Sequence, residues 1–155
     1  WPGKPGVPPP PVIPPLDAEQ QRLFVLGKVT YNTLCTGCHQ PNGMGMDGLA
    51  PTLVDSDWVL GNPAILQRVV LHGLTGPIKV NNQNWSLEMP PLGAALTNDQ
   101  VAGVLTYIRR EWEHGASPVS VVDVQKTRED NKDRAKAWTI EDLIQVGLIK
   151  KETKK

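Results

Sequence analysis

The pentapeptide Cys35-Thr36-Gly37-Cys38-His39 holds both cysteines of this 155-residue chain and one of its three histidines. Several chemistries use CxxCH, and each makes a different demand on the rest of the chain. A thioredoxin-like dithiol needs the motif at a helix start in a βαβ setting, whereas here it closes a predicted helix in a chain without strand-like alternation. A structural zinc site needs four ligands, and beyond the motif only the remote His72 and His114 offer imidazoles. A disulfide across two intervening residues would be strained and would leave His39 unexplained. Covalent attachment of a haem uses all three residues. On a helical turn positions i, i+3 and i+4 share a face, so both thiols can add to vinyl groups while His39 projects at the iron.

A low-spin electron carrier needs a second axial ligand, and three methionines are available. Met44 and Met46 follow His39 too closely, in a glycine-rich loop, and are read as loop or haem-edge packing. Met89 lies in LEMPPLG, where the prolines stiffen the backbone around the thioether, and is the expected ligand.

Residues 1–16 are expected to be a proline-rich linker: WPGKPGVPPPPVIPP contains eight prolines, which favour polyproline II. At ~3.1 Å per residue such a spacer reaches up to ~45 Å. The chain begins at Trp1 with no basic or apolar leader, so an export signal or preceding domain is expected upstream. Residues 17–115 are read as one domain. A first helix is predicted from Asp17 to His39, opened by the capping box of Asp17 with Gln20. Asn62, Pro63 and Gly73 bracket a second, with Ile65, Leu66, Val69 and Val70 facing inward. Thr97 and Gln100 open a third, with an apolar stripe from Val101 to Trp112 and Gly115 as its stop. The irregular stretches at about 40–61 and 74–96 are long enough to require something to wrap, and with only one Phe, two Tyr and five Trp a porphyrin would supply much of the core. Residues 116–155 are read as a helical extension, with Thr139 and Asp142 capping a short helix, followed by a charged tail.

The set Gly27, Tyr31 and CTGCH, then GLAPTL, then MPPLG followed by LTNDQVAGVLTYIRREW, resembles the monohaem class I cytochromes c. With HGLTGPIKVNNQNW, the proline spacer and the tail, the chain is similar to the C-terminal haem modules of bacterial quinoprotein and sorbosone-glucose dehydrogenase-like proteins. The resemblance implies an all-α class I cytochrome c fold around one covalent haem c. It implies Cys35 and Cys38 as attachment points, His39 and Met89 as axial ligands, and a Pro51 carbonyl accepting from His39 Nδ1. Gly27 and Tyr31 should cross Val104 and Tyr107. Trp58 and Trp85 are candidates to line the haem pocket and donate to propionates, with core packing as the alternative. Arg68 could pair with a propionate but is read as part of a solvated helix face, His72 as structural, and His114 as exposed at a helix end.

The implied function is one-electron transfer, not catalysis, from a fused or partner dehydrogenase to a downstream cytochrome or oxidase. The alternative is a haem sensor or peroxidase-like domain with an open sixth site. Haem attachment of this kind implies a periplasmic or otherwise exported location. Sixteen basic and sixteen acidic residues cancel, which excludes a polycation built to track nucleic acid, and no stretch reaches the ~18 apolar residues of a membrane span. Residues 29–67 contain Asp47, Asp55 and Asp57 but no Lys or Arg, so a weakly acidic, apolar docking face flanked by Met44 and Met46 is expected, without strong electrostatic steering.

Overall fold

Two helices that cross at bare backbone organise the molecule. In the computed structural model, which describes Gly6 and residues 13–151, α1 (Ala18–Leu34) lies across α4 (Asn98–Arg110). The proline-rich linker ahead of Ile13 and the end of the charged tail lie outside the described residues. At the crossing, a Cβ on Gly27 would stand 1.9 Å from the Gly103 carbonyl oxygen, so only glycine allows this approach. Just beyond, Tyr31 and Tyr107 meet with ring centroids 5.4 Å apart. Both helices open on capping boxes, Asp17 with Gln20 and Thr97 with Gln100, which satisfy amides that the first turn leaves unpaired.

Between them lie α2 (Thr36–His39), α3 (Pro63–His72), and a hairpin of β1 (Ile78–Val80) with β2 (Gln83–Trp85). Asn62 caps α3, with Pro63 in its first turn and Gly73 at its end. After α4 come α5 (Val121–Asp130), capped by Ser120, and α6 (Ile140–Gln145), capped by Thr139. The architecture is all-α apart from that hairpin, and no described helix is long and apolar enough to cross a membrane.

Several sequence expectations need correction. The first helix does not run unbroken to His39: it stops at Leu34, Cys35 donates its amide back to Tyr31, and the motif continues as a separate turn. The strandless reading overlooks the hairpin, whose Asn81-Asn82 loop takes two positive φ angles (50° and 67°) and so makes the tight turn that matches strand twist. The third helix ends at Arg110, before Gly115, because Trp112 turns inward at φ 56° to meet Tyr31 and Tyr107 at 5.7 and 5.8 Å. That turn also buries His114, which is 5% exposed rather than solvated. Its Nδ1 donates to the Ile108 carbonyl at 2.8 Å, and its Nε2 accepts from the Asp55 amide at 3.0 Å, so it closes the α4 terminus against the loop before α3.

The extension from residue 116 is packed onto this body. Arg109, 3% exposed, donates to Ser117, Val59 and Gly61 at the join, and α5 lies against α3 and α4. Trp138, 2% exposed, packs with Val69, Leu74 and Leu143. Arg68 is therefore not on a solvated face: its guanidinium carbon lies 5.6 Å from the Trp138 ring centroid, and its Nε is buried without a partner.

Candidate cofactor site

A largely apolar, solvent-open cavity lies between the motif, the α3 face and the stretch before α4. The motif forms one wall. The Cys35 carbonyl accepts from the amides of Cys38 (3.3 Å) and His39 (2.9 Å), so thiols and imidazole are stacked on one turn. Tyr31, wholly buried on α1, donates its hydroxyl to the Gln40 carbonyl at 2.6 Å and fixes the end of that turn. Leu66, Val69 and Val70 of α3 with Val104, Leu105 and Ile108 of α4 supply the floor.

His39 Nδ1 lies 3.1 Å from the Pro51 carbonyl, which can only accept, so Nδ1 carries the proton and Nε2 keeps its lone pair. The loop reaches this position because Gly45, at φ 70°, lets the chain fold back. A Cβ there would stand 2.4 Å from the Ala50 carbonyl oxygen. Burial holds the His39 imidazole below the usual histidine range, against the opposing pull of Pro51. A neutral ring with Nε2 free is the form that binds a metal.

Burial, with a smaller contribution from neighbouring Cys38, pushes the Cys35 thiol up to about 11. A disulfide-exchange nucleophile needs the opposite shift, toward a stable thiolate. Among the described residues no group of three or more His, Cys, Asp or Glu side chains is placed to hold a metal ion. The wall therefore lacks both a setting that favours a Cys35 thiolate and the ligand set of an all-protein zinc site. Two thiols and one imidazole facing an apolar slot do fit a flat macrocycle that brings its own equatorial donors.

Met89 lines the same cavity and is partly buried. Met44 and Met46 are 57% and 51% exposed and lie outside it, beside a separate depression. Trp58 and Trp85 both line the cavity. The Trp58 indole N–H, expected to face a propionate, is already donated to the Lys79 carbonyl on the hairpin at 2.7 Å; this binds β1 to the loop before α3 and removes Trp58 as a donor. Trp85 is half-buried at the end of β2. His72 does not reach the cavity: its Nδ1 is buried and unpartnered beneath the extension. Sequence reasoning missed Gly45 and the Tyr31–Gln40 bond. The glycine-rich loop was the available signal for the first, and nothing local marks the second.

The cytochrome c family matches this chain over residues 24–112. The chain is similar to the gluconate 2-dehydrogenase cytochrome c subunit of Pantoea cypripedii, with 33% identity over 110 residues covering 67% of this chain and 24% of that protein. It is similar to the cytochrome c subunit of quinone alcohol dehydrogenase of Gluconacetobacter polyoxogenes, with 33% identity over 110 residues, 68% of this chain and 23% of the relative. Cytochrome c-552 of Thermus thermophilus is 32% identical over 103 residues, 61% of this chain and 78% of the relative. The chain thus spans about a quarter of the length of those two dehydrogenase subunits.

Proposed function

This chain belongs to the cytochrome c family and carries one covalently bound haem c, and on that premise we propose that Cys35 and Cys38 would hold the haem through thioethers while His39 and Met89 would supply its iron ligands. Its role is electron transfer, not catalysis. When bound, the haem supplies a one-electron ferrous/ferric couple, whose potential a thioether ligand raises. The protein holds both ligands in place and orients the imidazole through Pro51.

One observation carries the ligand assignment. Met89 alone among the methionines lines the cavity that the motif and His39 enclose, and Met44 and Met46 stand in solvent. Absorption spectroscopy of the holoprotein tests it. The oxidised protein should show a sulfur-to-iron charge-transfer band that Met89→Ala abolishes, and only the variant should bind carbon monoxide readily when reduced. Ready binding by the unaltered protein would favour the open-site sensor or peroxidase-like reading instead.

The dehydrogenase relatives support a donor of that class, fused or associated, with a downstream cytochrome or oxidase as acceptor. Because thioether attachment takes place outside the cytoplasm, the location that goes with this reading is periplasmic or otherwise exported. The docking face is the apolar, weakly acidic surface of Met44, Met46 and Leu49 beside Asp47, all exposed.

A further inference from the structure

The part of the chain matched by the family ends at residue 112, yet the stretch bearing Met89 is gripped by residues well beyond it. Leu74 is the hinge of that grip. On one side it pairs with Met89, each donating its amide to the other's carbonyl, at 3.1 and 2.9 Å. On the other side runs Trp138, whose amide donates to Gly73 at 3.0 Å and whose carbonyl accepts from Thr75 at 2.9 Å. Three short segments thus form a miniature ladder with Met89 on one edge and the extension on the other. The Trp138 side chain anchors it, packed in the cluster that Met89 also touches, with the Arg134 guanidinium 3.7 Å from its ring centroid.

The far end of the same stretch is held separately. Arg128 of α5 donates to the carbonyls of Gly93 (2.7 Å) and Leu96 (2.9 Å) and to Asn98 Oδ1 (2.8 Å). Pro90 and Pro91, directly after Met89, have no amide to donate, so between the Met89 amide and those of Leu92 and Gly93, which donate to Val70 and Leu71 of α3 at 2.9 and 3.1 Å, the segment donates no backbone bond.

We infer that the extension from Ser117 to Lys151 is a clamp that positions Met89, with Trp138 and Arg128 as its positioning residues. It rests on Met89 as the sixth ligand and adds what keeps that ligand in place. A thioether is a weak, neutral ligand, and its residence on the iron depends on how little the backbone behind it can move. The clamp supplies that restraint from outside the cytochrome core.

The test uses the holoprotein and the variants Trp138→Ala, Trp138→Phe and Arg128→Gln. Amide hydrogen exchange at Leu74 and Met89 reads the clamp directly. The sulfur-to-iron band, followed on heating beside the helical circular dichroism signal, reads its effect on the ligand. Trp138→Ala and Arg128→Gln should each speed exchange at both amides by roughly tenfold, a loss of restraint on the scale of one or two hydrogen bonds. Each should lose the band while the helices persist, and Trp138→Phe should restore both readings. Because Arg128→Gln leaves the Trp138 anchor in place, it decides the matter even where Trp138→Ala unfolds. Unchanged exchange, or a band lost only together with the helices in every variant, overturns the clamp. A band that survives Met89→Ala overturns the ligand assignment instead, and the exchange rates still decide whether the extension restrains residue 89.

Discussion

His39 and Met89 face one cavity but are held over very different distances along the chain. The imidazole is fixed by a carbonyl 12 residues away, and its turn by a hydroxyl nine residues away. Met89 depends on Leu74, through it on Trp138, and on Arg128, whose bonds to Gly93 and Leu96 span 35 and 32 residues. Local contacts cost little chain entropy to form and resist damage elsewhere, whereas long-range ones form only once the body has assembled. The histidine wall is thus a property of the motif and its loop, and the methionine wall a property of the whole chain.

Gly27→Val should erase the comparison altogether, because α1 leads into one wall and α4 follows the other. Its first added carbon has 1.9 Å to the Gly103 carbonyl oxygen, and neither backbone can yield without parting the helices. The expected cost is at least about 4 kcal/mol, read as loss of cooperative thermal unfolding and of soluble holoprotein.

A pair of smaller changes should separate the walls. Gly45 (φ 70°) and Gly73 (φ 83°) both hold left-handed backbone, and a Cβ on Gly73 would stand 2.6 Å from the Met89 carbonyl oxygen. Each Gly→Ala should cost about 2 kcal/mol from strain and contact together. Gly45→Ala should move the Pro51 carbonyl and shift the proton resonance of His39 Nδ1 with the sulfur band intact. Gly73→Ala should weaken the band and leave that proton in place. If both variants alter both signals alike, the two walls are one cooperative unit.

The same division explains what could be read from the sequence. Asp17 with Gln20, Thr97 with Gln100, Asn62 with Pro63, and Thr139 with Asp142 were legible as helix starts because a cap joins residues within one turn. CTGCH was legible for the same reason. The burial of His114 was not, because its partner Asp55 lies 59 residues away and its position at a helix end suggested solvent. An acceptor for the Trp58 indole was foreseeable, but not that the Lys79 carbonyl would be it, since the three-residue strands of the hairpin are too short to alternate visibly. The stripe through Trp112 has helical spacing, yet aromatic packing overrides it. The docking of the extension gives no local sign: Trp138 reads as one apolar residue in a charged stretch.

The smallest effect concerns how acid would reach the two walls. Asp142 accepts from Arg134 at 2.7 Å, in the turn that lays Arg134 over Trp138, and both side chains are mostly buried. That hydrogen bond, with lesser help from the charges of Arg134 and Lys136 and from Thr139 and against some desolvation, holds the Asp142 carboxyl below the usual aspartate range. A lowered folded-state value means the carboxylate adds stability above its unfolded value and loses it as pH falls through the folded one. Asp142→Asn should therefore cost about 1 kcal/mol or less near neutrality, and the difference in unfolding midpoint between variant and unaltered protein should shrink as the pH drops below about 3.9. The loss should appear first in amide exchange at Thr75 and Leu74, beside Trp138, while the bond between His39 and Pro51 is unchanged over the same range. A midpoint difference that stays constant down through that pH would mean that the Asp142 charge contributes nothing to stability, and that the ion pair adds nothing to the hold on Trp138.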